Sequence, residues 1–449
     1  MKIALVQPPY KNRVFETISM PLGLCWISSY LKKEFHAEVH GYDLLLSPKE
    51  ETKLYEDLKF LNYDIIGIQA HSNMTMDYTM KIINTIKKIS PQTLVIAGGN
   101  SATFMIEYLF KNSKIDLIIR GEGEVTFGEV IKNYKKRKYS KINGIAYSSE
   151  GEIVLTPERK QIENIDSIPL PDRDIFSHNE YPQVGLIMSR GCPFKCSFCS
   201  TSKYWKHKVR IRSAEKIIEE IKELKKNFKV NKLFILDDTF GFYKKETIDF
   251  LNKLIDSNLD IKWACTTRGD ILDEEFLFLC KKAGCIEIHF GLDTANNKTQ
   301  ILINKKLDLN LLKKNCLYAK KIGIRTKLSI IIGLPQEGEK DIYNTFEYIK
   351  ELFPNEIQIY PLMPYKGIDI LKNDEINIRD TECSNWTQDA LNPVIDSKNL
   401  TKEKISYISK KGAKLFQSMG YLWIPFDLPP QKRNELYIVK TVFAPLQSL

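Results

Sequence analysis

Gly191-Cys192-Pro193-Phe194-Lys195-Cys196-Ser197-Phe198-Cys199-Ser200 follows directly on the apolar stretch Val184–Met188. A strand-like run thus delivers three thiols from one short loop. A four-iron cluster normally takes four cysteines, one to each iron. Three would leave one iron with an open position, where a small molecule can coordinate and receive an electron. Such a loop reads as a reaction centre rather than an electron relay. Two simpler readings stand beside it, a zinc site and core filling. Zinc wants a fourth ligand at short spacing, and the nearest candidate is His207.

Downstream of the loop, apolar strand-like runs alternate with helix-length periodic segments. Strands are expected at Val184–Ser189, Lys232–Leu236, Lys262–Thr267, Ile286–Gly291, Lys327–Gly333 and Glu356–Tyr360. The gaps hold helical segments such as Ala214–Asn227, Lys244–Ser257, Glu274–Ala283, Leu309–Lys321 and Glu339–Phe353. Six such units predict a partial β/α barrel with its chemistry at the carboxyl ends of the strands. The cysteine loop follows the first of them.

Upstream, residues 1–150 alternate in the same way. Strands are expected at Lys2–Gln7, Glu38–Leu45, Asp64–His71, Thr93–Gly98, Leu117–Gly121 and Ile142–Ser148, with helices at Leu22–Lys33, Tyr78–Ile89, Ala102–Phe110 and Glu124–Lys135. This predicts an α/β, Rossmann-like, doubly wound parallel sheet that binds ligands beyond its strand ends. Gly98-Gly99 and Gly121-Glu122-Gly123-Glu124 fall at such ends, where glycine lets the backbone approach a bulky ligand. Residues 151–180, with Pro157, Pro169 and Pro171, read as a connector, 181–370 as the barrel, and 371–449 as a C-terminal cap. The cap carries one clear helix, Lys402–Met419, and the aromatics Trp386, Tyr421, Trp423 and Phe426.

At 449 residues, more than one core is expected. A hydrophobic share of 43% beside 27% charged residues fits a soluble globular chain. No apolar run approaches the ~20 residues that span a bilayer, and no secretory signal opens the sequence. Nine cysteines without paired spacing point to a reducing cytoplasm. The net charge of +10 and the basic run Lys203, Lys206, His207, Lys208, Arg210, Arg212 raise the question of nucleic acid. A solvated lysine-rich surface explains them better, because the remaining excess is spread over helix faces such as Glu215–Lys226, where acids and bases alternate. A nucleic-acid partner is therefore not expected.

Together these features resemble the radical S-adenosylmethionine (SAM) superfamily, in its subgroup with an N-terminal cobalamin-binding domain. The C-x3-C-x2-C loop with Phe198 before its last cysteine carries the resemblance, supported by the six β/α units. By that likeness Cys192, Cys196 and Cys199 would ligate a [4Fe–4S] cluster, SAM would chelate the open iron, and the backbone near Phe198 would touch adenine. Asp237-Asp238 ends the second barrel strand, where a carboxylate could accept from the ammonium of SAM, or one of the pair could serve as a helix cap. Arg268 ends the third, suited to a carboxylate of SAM or substrate, or to a structural ion pair. Asp293 stands where the family more often has glutamate, before Thr294, on the ribose side. Gly333-Leu334-Pro335 with Glu337 matches the adenine-side turn.

In the N-terminal part, Gln7-Pro8-Pro9, Pro21-Leu22-Gly23-Leu24, Gly98-Gly99 and Gly121–Glu124 recur together in the cobalamin subgroup. The loop His71–Met76, including Ser72 and Asn73, would face the lower side of the corrin. Asp-x-His-x-x-Gly, which supplies a lower histidine ligand elsewhere, is absent, so the resemblance implies cobalamin without a histidine on cobalt. The six other cysteines, Cys25, Cys265, Cys280, Cys285, Cys316 and Cys383, read as ordinary buried residues.

The activity implied is transfer of a methyl group from methylcobalamin to an unactivated carbon, after a 5′-deoxyadenosyl radical removes a hydrogen. The same scaffold also supports cyclisation, ring contraction or oxidation without methyl transfer. A tRNA-modifying methylthiotransferase and a non-catalytic cobalamin sensor rank lower, given the cysteine-poor N-terminus and the intact cysteine loop. The partners implied are a small-molecule or peptide substrate and an electron donor such as flavodoxin or ferredoxin.

Overall fold

Two sheets carry the molecule, as seen in a computed structural model that describes residues 1–9, 19–176, 181–386 and 391–420. The first is built from β1 (Lys2–Gln7), β2 (Glu38–Asp43), β3 (Ile65–Gln69), β4 (Leu94–Gly98), β5 (Leu117–Ile119), β6 (Ile145–Ser149) and β7 (Glu152–Leu155), in the order β2-β1-β3-β4-β5-β6-β7. Pairing is parallel from β2 through β5. Strand residues alternate between two apolar layers, as the pleat requires. Ile3, Leu5, Ile65 and Ile96 pack with Leu24, Phe127 and Val130 of the helices Leu22–Phe35 and Glu124–Asn133. Ala4, Val6, Ile66 and Val95 belong to the opposite layer, with Leu54, Leu58, Ile82 and Ile86. That second layer is continuous with the core of the other half of the chain.

Three local expectations differ from what forms. The last strand of this half is antiparallel, a β6–β7 hairpin added to the parallel sheet. The helix expected at Ala102–Phe110 breaks at Met105 into Asn100–Phe104 and Ile106–Asn112. A helix not anticipated, Pro48–Phe60, crosses over between β2 and β3, capped by Ser47 Oγ accepting from Lys49 N. Its sequence is mostly polar, so only Leu54 and Leu58 mark the buried side.

The second half forms β8 (Gly185–Leu186), β9 (Ser189–Arg190), β10 (Arg210–Ile211), β11 (Lys232–Ile235), β12 (Lys262–Thr267), β13 (Cys285–Asp293), β14 (Arg325–Ile332) and β15 (Glu356–Pro361). Six of these make one open parallel sheet in the order β15-β14-β13-β12-β11-β8, with helices on the crossovers. This is the partial barrel read from the sequence. Its first strand is shorter than Val184–Ser189, because the Asp237 carboxylate captures the Met188 and Ser189 N–H groups at 2.7 and 3.0 Å. The chain then leaves the sheet, and β9 pairs antiparallel with β10 instead.

Beyond the barrel, β16 (Ile376–Ile378) and β17 (Ile395–Ser397) pair antiparallel, and the helix Lys402–Ser418 packs Ile405, Ile408 and Phe416 into the core. Trp386 is buried. Tyr421, Trp423 and Phe426 lie outside the described residues. Among the described residues no helix is long and apolar enough to cross a membrane.

Candidate active site

The cysteine loop leaves β9 through Gly191, whose φ of +108° favours glycine and whose Cβ, if added, would overlap the Lys208 carbonyl oxygen. Its amide donates to Asp238 Oδ2 at 3.1 Å. Ser197 N donates to the Ile303 carbonyl at 2.8 Å, and Asn304 Nδ2 to that of Lys195 at 3.0 Å, so the segment that follows β13 holds the loop from outside. Cys199 directly precedes the short helix Ser200–Tyr204 without a side-chain capping bond, and Thr239 Oγ1 donates to Cys192 Sγ at 3.2 Å. Cys192, Cys196 and Cys199 are half-buried free thiols, whereas the other six cysteines are buried, as expected. Burial pushes the Cys192 and Cys196 thiols up, to about 12 for Cys196, so a cationic centre has to stabilise the thiolates.

Among the described residues no three His, Cys, Asp or Glu side chains converge as ligands of a single ion would. Three thiols on one loop match a cluster in which each takes its own iron, whereas tetrahedral zinc wants a fourth ligand. His207, the fourth zinc ligand considered, makes a 3.2 Å hydrogen bond from Nδ1 to the Phe194 carbonyl.

Next to the segments that flank the loop is a cavity of about 300 Å³; no residue of 191–200 lines it. It lies at the carboxyl ends of β1, β3, β4 and β5, where the strand order reverses around β1, the expected ligand position of a doubly wound sheet. Its depth is apolar: Leu5, Ile96, Ile119 and Phe127, with Gly67 leaving room between them. Gly98, Gly99, Gly121 and Gly123 line it, and Ser189, Arg190, Tyr204, Trp205, Leu236 and Asp238 border it from the barrel half. Gly99, at φ +107°, brings its Cα against the Ala70 carbonyl, 3.0 Å from where a Cβ would stand.

Cobalamin is a large corrinoid fringed with carboxamides, and the residues present fit such a group. Gln69 Oε1, on the cavity wall, is buried without a partner among the described residues. A carboxamide ligand offers donors to such an atom. His71 is open to the cavity, yet enclosing walls push it down to about 4, so its imidazole is neutral.

The predicted residues divide by what their side chains touch. Ser72 caps the turn Asn73–Thr75, and Asn73 Oδ1 accepts from Ser101 Oγ at 2.9 Å; neither lines the cavity. Asp237 accepts from the Met188 and Ser189 amides and from Ser189 Oγ at 2.6 Å, and burial raises its carboxyl to about 6. Asp238 opens to the cavity. The Arg268 guanidinium forks onto Asp270 at 2.9 and 2.7 Å, donates to the Lys305 carbonyl at 2.9 Å and stacks 4.0 Å from the Phe194 ring. Asp293 pairs with Lys305, and Glu337 takes the Thr294 hydroxyl, its carboxyl raised by burial to about 7. Phe198 packs on the barrel core, and Gly333, at φ +95°, passes beneath Ile405 just before Pro335.

Glu122 and Glu124 line the cavity, but their carboxylates are committed to Arg190 and Arg210. Neither arginine's role was visible in the sequence; the one signal available was an arginine directly before Gly191-Cys192. The basic run is not a free surface either. Lys203 bonds Asp369, Lys206 bonds Glu158, and Arg212 is buried against Glu220.

The chain is similar to known proteins over nearly its whole length. The family description "Radical SAM superfamily" matches residues 186–349, and "B12 binding domain" matches residues 12–131. An uncharacterized methyltransferase of Pyrococcus horikoshii is 31% identical over 423 residues, spanning 92% of this chain and 91% of the relative. An anaerobic magnesium-protoporphyrin IX monomethyl ester cyclase of Rubrivivax gelatinosus is 27% identical over 455 residues, 97% of this chain and 81% of the relative. Among solved structures, the radical SAM methyltransferase TsrM from Kitasatospora setae superposes with a TM-score of 0.74 at 14% identity, over 96% of this chain and 90% of its own.

Proposed function

The chain belongs to the cobalamin-binding branch of the radical SAM superfamily, and from this membership we propose that it methylates an unactivated carbon of a small-molecule or peptide substrate. The cofactor set is that of the family: a [4Fe–4S] cluster, SAM and cobalamin. When bound, these supply the chemistry, reductive cleavage of SAM to a hydrogen-abstracting 5′-deoxyadenosyl radical and a methyl group carried on cobalt. One observation carries the reading. A single cavity is lined both by the glycine-rich strand ends of the first sheet and by Ser189, Arg190 and Asp238 at the root of the cysteine loop.

In this reading Cys192, Cys196 and Cys199 hold the cluster. Asp238, Phe198, Gly333 and Pro335 border SAM, while Asp237, Arg268 and Asp293 act by positioning. Gly98, Gly99, Gly121 and Gly123 let cobalamin approach the backbone, and Glu122 and Glu124 hold their loop. Anaerobically reconstituted protein given SAM, a reductant and substrate should release S-adenosylhomocysteine and 5′-deoxyadenosine in equal amounts, with product heavier by one methyl. 5′-Deoxyadenosine alone, with product lighter by hydrogen or rearranged, would replace methylation by the second reading, a cyclase or oxidase, which the Rubrivivax relative favours.

An acidic one-electron carrier, a flavodoxin or ferredoxin, is the proposed electron donor. Lys195 and Lys306 support it: both are exposed beside the cysteine loop, their ammonium groups unpaired among the described residues. Charge reversal at both, Lys195→Glu with Lys306→Glu, should slow carrier-driven 5′-deoxyadenosine formation about tenfold and leave the dithionite-driven rate unchanged. Equal rates with the carrier would place its docking elsewhere.

A further inference from the structure

Arg190 stands between the two halves of the site. It directly precedes Gly191-Cys192, and its buried guanidinium donates from Nη1 to Glu122 at 2.8 Å and from Nη2 to Glu124 at 2.6 Å. Trp26 covers it, the ring centroid 4.6 Å away. Across the β9–β10 pair, Arg210 donates to the other Glu122 oxygen at 2.7 Å. Tyr204 Oη donates to the Gly121 carbonyl at 2.7 Å. All three groups lie within residues 190–210, the segment that carries the three cysteines.

The run Gly121–Glu124, which lines the cavity, is thus gripped by the same twenty-odd residues that form the cysteine loop. Two arginines meet two glutamates, so the buried charge balances, and each bond is short and charge-assisted. On the loop side the chain of contacts continues through Gly191 N to Asp238, while Asp238's neighbour Thr239 bonds Cys192 Sγ. A ligand that shifts one loop therefore pulls on the other through these bonds.

We propose that the Arg190–Glu122–Glu124–Arg210 clasp couples the two cofactor sites: an assembled cluster tightens cobalamin binding, and bound cobalamin favours cluster assembly by the same factor. Arg190 acts here as a positioning residue. The inference rests on the functional reading above but concerns binding rather than turnover.

The test is hydroxocobalamin affinity, measured anaerobically by absorbance titration on cluster-free and reconstituted protein. Wild-type protein should bind at least about fivefold more tightly once the cluster is in place. In Arg190→Gln that ratio should fall to one, with about four irons per chain still incorporated and a circular-dichroism melt that stays cooperative but moves to lower temperature, since buried carboxylate loses its partner. Arg190→Lys is the second variant, for it keeps the charge but cannot bridge both glutamates; it too should lose the ratio while loading iron. A ratio of one in wild type, or a wild-type ratio in a folded Arg190 variant, overturns the coupling and leaves the functional reading standing. Wild-type protein that takes up neither iron nor cobalamin overturns both.

Discussion

Gly191→Ala is expected to abolish cluster loading, leaving less than about a tenth of the wild-type iron after anaerobic reconstitution. Two costs add. The backbone sits at φ +108°, a conformation essentially closed to side chains, at about 1–3 kcal/mol. The new methyl would also overlap the Lys208 carbonyl oxygen, which is backbone and cannot swing aside. Relief requires β9 and the β10 approach to separate, which moves Cys192 away from Thr239 and Asp238. Gly121→Ala separates the two costs. Its φ of +81° is also unfavourable, but nothing lies within 4 Å of the added Cβ. That variant should lose stability slightly, by about 1 kcal/mol, and load iron normally. Iron content and thermal melts of both proteins decide the matter; full iron in Gly191→Ala would show that the loop does not depend on this turn.

Gly98→Leu should have the opposite signature, with iron retained and cobalamin lost. Gly98 ends β4 on the cavity wall, and an added Cβ would meet only Ile119, at 3.8 Å. The backbone therefore accepts a side chain, and the isobutyl group projects into the cavity. Displacing part of a well-fitted ligand by even 1.4 kcal/mol costs tenfold in affinity, so binding should weaken by at least about tenfold. Gly67→Ala provides the contrast. Its methyl would lie 2.8 Å from Phe127 and 2.9 Å from Leu5, inside the packed layer. Overpacking of that kind costs about 1–3 kcal/mol and should lower the melting temperature as well. Wild-type cobalamin affinity in Gly98→Leu would mean that the corrinoid sits elsewhere.

The sequence carried the periodic features well and the long-range ones poorly. Leu94–Gly98, buried along almost its whole length, announces itself as a continuous apolar run, and Arg325–Ile332 shows its buried face by alternation. Pro48–Phe60 did not, because a helix lying on the surface with only two leucines inward has a weak period. The direction of β6 was also hidden, since a hairpin strand and a parallel strand read alike over five residues. At the site, spacing alone put the three cysteines on one loop, and glycine pairs at strand ends marked the cavity. Side-chain partners were another matter. Asp237 and Asp238 are the same letter twice, yet one is closed off by the Met188 and Ser189 amides while the other takes the Gly191 amide and opens to the cavity. Glu122 and Glu124 meet arginines 66 to 88 positions away, contacts that no local pattern encodes. Arg268 instead pairs two residues along with Asp270, a contact short enough to be foreseen.

The under-ligated iron is tested most directly by replacing Cys192, Cys196 and Cys199 with alanine, one at a time, and measuring 5′-deoxyadenosine released from SAM under anaerobic reduction. Wild-type protein should form it, and each variant should form none above background. Release at the wild-type rate from any one of the three would contradict the assignment of that loop to the cluster.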